Sequence, residues 1–257
     1  REKDLNLLSN VANKTALFMR NSQIAKSVTR ESLERERFRK ILSPERAEMV
    51  VAGQLKVDLE GKQHASTLLM VNMIDFNAKA GALDPEGLIE FLNQYYDHLV
   101  GVVFRHEGMI DQYLGDRILA VWGVPQPHED DPLRAVTAAV EMQQMMETIN
   151  QQRQKDNLPL LEIGIGVATG TVVAGSLGSQ KTRRYSIVGE LINDVQAICA
   201  SARSEQVLIS EKTFQMVQKL FDIDEAHTLQ LRDRAVKCFE IIGEQEGRPA
   251  QPWSYLG

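Results

Sequence analysis

The chain has 257 residues, 43% of them hydrophobic and 25% charged, and a formal net charge of −6 at pH 7. That length holds one large domain, or one of about 190 residues with an appendage, and supplies ample apolar material for a core. The acidic balance and the lack of a basic-aromatic platform give a nucleic-acid role no support. No stretch approaches the roughly 18 apolar residues of a membrane-spanning helix, and no signal-peptide pattern is present.

The first residue is Arg1, which opens directly into a helical pattern; a start without Met predicts a piece of a longer protein. Residues 3–42 contain no Gly or Pro and are predicted as one long helix. Leu17, Ile24, Val28 and Phe38 share a seam that Glu31 and Arg35 interrupt, the pattern of an imperfect coiled coil acting as a dimer-forming linker. The alternating charges from Arg30 to Lys40 mark a solvated face. Ser43-Pro44 stops the helix, and Lys56–His64 is expected to be a turn-rich separator.

From Ser66 a short apolar strand around Leu68 and Met70 is predicted. Asp84-Pro85 starts a helix, with Pro where its missing N–H costs nothing, and Leu88, Phe91, Leu92, Tyr95, Leu99 and Val102 form its apolar face. MIDQYLGDRILAVWG is predicted as two strands joined at Gly115-Asp116. Asp131-Pro132 opens a second amphipathic helix with Ala135, Ala139, Met142, Met146 and Ile149 inward, the methionines filling core.

Glu162–Ala168 alternates as a half-buried strand, and a Gly-rich hairpin is expected from Gly170 to Gly178. Strand Tyr185–Val188, helix Glu190–Ser201, strand Gln206–Ile209, helix Glu211–Lys219 and strand Val236–Ile242 complete the set. Helices alternate with strands that include hairpins, which predicts an α/β or α+β fold with a mixed sheet. Cys199 and Cys238 form no CxxC or Cys/His pattern and are expected to be buried free thiols in a reducing compartment.

IDQYLGDRILAVWG, GIGVATGTVVAGSLGS, YSIVGELIN and LRDRAVKCFEIIG occur in order between about Ser66 and Gly243. Together they resemble the class III adenylyl and guanylyl cyclases. RFRKILSPERAEMVVAG is similar to the short transducing segment that precedes many bacterial cyclase domains, and DLNLLSNVANKTALFMRNSQI resembles the closing helix of GAF-type sensor domains. The organisation expected is a signalling helix over 1–42, a transducer segment over 43–65, a cyclase homology domain over 66–243 and a tail over 244–257. The resemblance implies a ferredoxin-like core with flanking helices. It also implies a head-to-tail homodimer with purine nucleotide sites at the subunit interface, and cytoplasmic placement even where a full-length protein is membrane-attached. A heterodimer with another cyclase domain is the alternative partner.

The resemblance further implies that one subunit offers two aspartates to two Mg²⁺ or Mn²⁺ ions. Cyclisation drives the ribose 3′ oxygen onto the α-phosphorus, and two metals near the attacking and leaving oxygens serve that step. Asp116 matches the second metal aspartate. The first falls on Asn72, in Asn72-Met73-Ile74-Asp75-Phe76, and Asn offers a carbonyl oxygen without charge. Asp75 substitutes only if the strand slips by three residues, which turns its side chains to the opposite face.

The adenine-reading Lys of the family falls on Gln112, whose amide both donates and accepts, and its partner position is Ser186. Asn193 matches the phosphate-region Asn. Ala197 stands where the essential Arg is implied, which removes a fork-shaped cation, and Arg203 lies further along facing another direction. Losing one preorganised donor costs about 10²–10³ in rate. The expectation is a degenerate, regulatory or nucleotide-binding domain. An adenylyl cyclase working through Asp75, Asp116 and Asn193 is the second reading, and a purely structural dimerisation module the third. Diguanylate cyclases need a Gly-Gly-(Asp/Glu)-(Glu/Asp)-Phe turn, whereas this chain has Leu114-Gly115-Asp116-Arg117.

Overall fold

The computed structural model describes residues 44–53 and 60–244, apart from 82, 180–182 and 232–233, together with Met19, Arg20, Leu33 and Phe38. The chain divides into two compact units, Arg1–Leu55 and Lys56–Gly257. In the first, Pro44 opens helix α1 (Pro44–Val51), the position where proline's fixed φ suits a helix start. The long helix and GAF-like stretch expected over residues 1–42 otherwise lie outside the described residues, as does the tail beyond Glu244.

The second unit runs β1 (Lys62–Met73), α2 (Phe76–Ala80), α3 (Pro85–Arg105), β2 (Met109–Leu114), β3 (Arg117–Trp122), α4 (Asp131–Lys155) and β4 (Ile163–Gly178). It continues through β5 (Arg183–Val188), α5 (Glu190–Ser201), β6 (Val207–Ser210), α6 (Glu211–Val217), β7 (Phe221–Gln230) and β8 (Ala235–Glu244). Its strands form one mixed sheet in the order β2-β3-β1-β4-β6-β8-β7, with β5 pairing β4 off this path. The β4–β6 pair is parallel, and β1 pairs antiparallel with both β3 and β4.

Alternation along β4 assigns the two faces of the sheet. Ile163, Ile165 and Val167 join the core cluster with Leu69, Val71, Met73, Tyr95, Leu99, Val102, Ala135, Ala139 and Met142. Helices α3 and α4 therefore cover that face. Gly164 and Gly166 point the other way, where α5 lies so close that a Cβ on Gly166 would meet Cys199 N at 2.5 Å. Asp84 caps α3 by accepting the Gly87 N–H at 2.9 Å. Trp122 is fully buried and its indole N–H donates to the His106 carbonyl at 2.8 Å, the partner a buried indole requires. Cys199 and Cys238 are buried and free.

Three expectations are corrected. β1 begins at Lys62 rather than Ser66, because the separator's last residues already pair, Lys62 with Ala174 and His64 with Val172. The Gly170–Gly178 segment is not a hairpin but the second half of β4, and the reversal into β5 follows Gly178. Strand β7 was not anticipated at all. Among the described residues, no helix is long and apolar enough to cross a membrane.

Candidate active site

The β2–β3 hairpin carries most of the candidate residues. Gly115 turns it at φ 67, a left-handed conformation that glycine adopts without a Cβ penalty, and the Tyr96 hydroxyl donates to the Gly115 carbonyl. The Tyr96 and Tyr113 rings pack with centroids 4.9 Å apart. Asp116 follows the turn, and its carbonyl accepts the Met73 N–H at 3.1 Å. This bond ties the hairpin turn to the end of β1. It brings position 72 beside position 116.

The residues present do not fit the implied pair of divalent metals. Asn72 and Arg117 are directly opposite in the β1–β3 register. Arg117 Nε donates to Asn72 Oδ1 at 3.0 Å and lies 3.7 Å from Asp116 Oδ1. The guanidinium thus stands between the two side chains that would hold metal. Two unit charges 4 Å apart interact by about 4 kcal/mol at an effective dielectric near 20, and a divalent ion beside a cation faces about twice that in repulsion. Hard divalent ions also select anionic oxygen ligands, and Asp116 is the single carboxylate of the pair. Among the described residues, no group of three or more His, Cys, Asp or Glu side chains is arranged to hold a metal ion.

Asp75 is not drawn into this position. β1 stays in register through Met73, and Asp75 sits beyond its end, exposed, at φ 54 before α2. Lys79, one turn into α2, donates from Nζ to the Ile74 carbonyl at 2.8 Å and lies 3.7 Å from a Glu162 carboxylate oxygen. A second cation therefore braces the loop that leaves Asn72.

On β2 the register shifts between Ile110 and Gln112, so Asp111 is the extra residue of a bulge. It is buried, and its Oδ1 accepts the Ser186 hydroxyl at 2.7 Å and the Ile187 N–H at 3.0 Å. Burial pushes its carboxyl above the usual carboxylate range, while hydrogen bonds from Ser186, Ile187 and Gln112 and the charge of Arg184 pull it back. Ser186, expected from the sequence to partner Gln112, is thus bonded to the residue that precedes Gln112 on β2. Sequence reasoning missed this residue. Its one signal was an acid in an otherwise apolar strand start, MID.

Asn193 and Ala197 lie one turn apart on α5; Asn193 is exposed and Ala197 half-buried. Asp194 between them is buried and paired with Arg234. Arg203 lies past the end of α5, where its backbone N–H donates to Gln206 Oε1 at 2.9 Å. A cleft of about 400 Å³ beside the start of α5 is lined by Thr169, Glu190, Asp194, Lys212, Arg234 and Lys237 among others. Asn72, Gln112, Asp116 and Ser186 do not line this cleft; Ser186 is buried and the other three are half-buried.

Comparison with known proteins agrees with this architecture. The guanylyl cyclase Cya2 shares 33% identity at a TM-score of 0.68, over 73% of this chain and 96% of that one. The adenylyl cyclase CyaB from P. aeruginosa shares 21% identity at a TM-score of 0.70, over 74% of this chain and 100% of that one, a likeness of fold. Adenylate cyclase 1 of Rhizobium meliloti is 28% identical over 127 residues, 49% of this chain and 19% of that protein. A protein of Mycobacterium tuberculosis is 25% identical over 234 residues, 87% of this chain, which spans 39% of that relative's length. The family profile described as the adenylate and guanylate cyclase catalytic domain matches residues 57–243. The chain belongs to that family, the class III nucleotidyl cyclases.

Proposed function

We propose that this is a dimeric cyclase homology domain with little or no cyclase activity of its own as a homodimer, serving as a regulatory or nucleotide-binding unit. The observation that carries the reading is Arg117 Nε, 3.0 Å from Asn72 Oδ1 and 3.7 Å from Asp116 Oδ1. A fixed cation lies where the reaction calls for mobile divalent ones. Ala197 weakens the other half of the site by withdrawing a transition-state cation, a loss of about 10²–10³ in rate on its own. In a homodimer both sites inherit both defects. A heterodimer with a complete cyclase domain repairs each site only in part.

The retained Ser186, linked through Asp111 to the Gln112 strand, supports continued binding of a purine edge, since an amide both donates and accepts. Residues 1–42 are read as the signalling helix, 43–65 as the transducer, 66–243 as the homology domain and 244–257 as the tail. A coiled coil entering a twofold dimer can rotate the subunits and alter an interfacial cleft.

The test is a cyclase assay of the purified chain with ATP and GTP, in Mg²⁺ and in Mn²⁺. No cyclic nucleotide is expected from the wild type. Product is expected from the quadruple variant Asn72→Asp, Gln112→Lys, Ala197→Arg and Arg117→Ala. Ordinary turnover by the wild type sinks the proposal and favours the second reading, an active cyclase working through Asp75, Asp116 and Asn193.

A further inference from the structure

The poor fit between this site and a divalent metal has a positive side. Asn72 does more than lack a charge: its carbonyl oxygen accepts Arg117 Nε at 3.0 Å and so aims the guanidinium. The cross-strand pairing of Asn72 with Arg117 makes that placement part of the sheet. Asp116 approaches the same Nε at 3.7 Å, too far for a hydrogen bond. Both terminal amino groups of Arg117 make no hydrogen bond among the described residues, and its side chain is 32% exposed. A guanidinium held at Nε with its two amino groups free presents the fork that matches phosphate oxygens. Lys79 on α2, which donates to the Ile74 carbonyl at 2.8 Å, is a second cation near the end of β1, though it is partly neutralised by Glu162 at 3.7 Å.

We propose that Arg117, aimed by Asn72, takes the place of a divalent cation, so that this chain binds the phosphates of a purine nucleoside triphosphate without metal. The inference rests on the reading that the domain still takes up a nucleotide, and it specifies how. Asn at position 72 is then a fitting partner, since an aspartate there would ion-pair the guanidinium and compete with phosphate. The role of Asp116 also reverses. In a metal site this carboxylate strengthens nucleotide binding through the ion, whereas beside a bare phosphate it repels.

The test uses the whole chain and ribose-labelled fluorescent ATP and GTP, titrated in EDTA and in Mg²⁺. The dissociation constants are expected to agree within about twofold in the two buffers. Arg117→Ala should weaken binding about tenfold or more, the scale of a charge-assisted hydrogen bond, and Arg117→Lys should recover only part of it. Asp116→Asn should tighten binding.

Mg²⁺-dependent tightening of about tenfold or more overturns the proposal, as does weaker binding by Asp116→Asn or an unchanged constant in Arg117→Ala. Stoichiometric Mn²⁺ binding by electron paramagnetic resonance in the nucleotide-bound chain overturns it as well. Where Arg117→Ala does not fold, the EDTA comparison and Asp116→Asn decide. Absence of any nucleotide binding sinks this inference but leaves the loss of cyclase activity standing, which the product assay judges separately.

Discussion

Asp111 concentrates the residue-scale chemistry. One of its oxygens accepts both the Ser186 hydroxyl and the Ile187 N–H, while Oδ2 is buried with no partner among the described residues. Asp111→Ala leaves the hydroxyl and the amide without an acceptor, and each orphaned group costs about 1–3 kcal/mol. Asp111→Asn keeps the shape and an acceptor but removes the titration. Because burial raises this carboxyl, the folded protein holds the proton more tightly than the unfolded chain does. The stability so contributed is full below the unfolded value of about 3.9 and is lost as pH rises through the folded value. The expected result is that Asp111→Asn gains in urea midpoint relative to wild type between pH 4 and pH 7. Asp131 is raised by burial too, but it is common to both proteins and cancels in the difference. A gap that does not change with pH refutes the assignment. The sequence showed Gln112 and Ser186 as candidates but not Asp111 between them. The bulge that turns Asp111 inward is a property of β2 pairing with β3, and no local residue pattern announces it.

At the scale of elements, the seating of α5 on β4 fixes where Asn193 and Ala197 stand. A Cβ on Gly166 would meet Cys199 N at 2.5 Å and Cys199 Cα at 2.8 Å, backbone atoms that move only if the helix moves. Gly166→Val should therefore destabilise the domain by about 1–3 kcal/mol, as overpacking does, read as a lower urea midpoint at unchanged slope. An unchanged midpoint would mean that α5 packs less closely. Helices α3, α4 and α5 were legible because each carries a sustained apolar face, and two of them open on Asp-Pro. β7 was not, for a physical reason. It is an edge strand whose pairing with β8 slips between Asp222 and Ile223 and again between Glu225 and His227. Those slips place Phe221, Ile223, Ala226 and Leu229 at uneven spacing and erase the alternation by which a strand is recognised. Its Asp222, Asp224 and Glu225 also charge the edge against pairing with another sheet. The candidate positions Asn72, Gln112 and Ala197 could be named one by one from the sequence, whereas the bond from Arg117 to Asn72 depends on register across two strands.

For the whole molecule, the exposed apolar residues indicate where the second subunit of the proposed dimer would sit. Val173, Leu177 and Val188 on the β4–β5 arm are 36%, 37% and 42% exposed, and Tyr113 and Leu114 on the β2–β3 hairpin are 48% and 44% exposed. The Ser186–Asp111 hydrogen bond joins the arm to the hairpin strand, so the two groups flank one contact. In a twofold dimer each substitution appears on both sides of the interface and counts twice. Leu177→Asp with Val188→Asp would bury four carboxylates in that contact, each costly to desolvate without a partner. Leu177 and Val188 are already 37% and 42% exposed in the subunit, so its own stability should change much less than its pairing, by about 0.5 kcal/mol. The expected outcome is a dimer dissociation constant raised about a hundredfold by sedimentation equilibrium, with the thermal midpoint of the dilute protein unaltered. If the constant holds, the arm is not the interface. If the dilute protein melts earlier, the arm's apolar residues serve the fold of the subunit rather than its pairing.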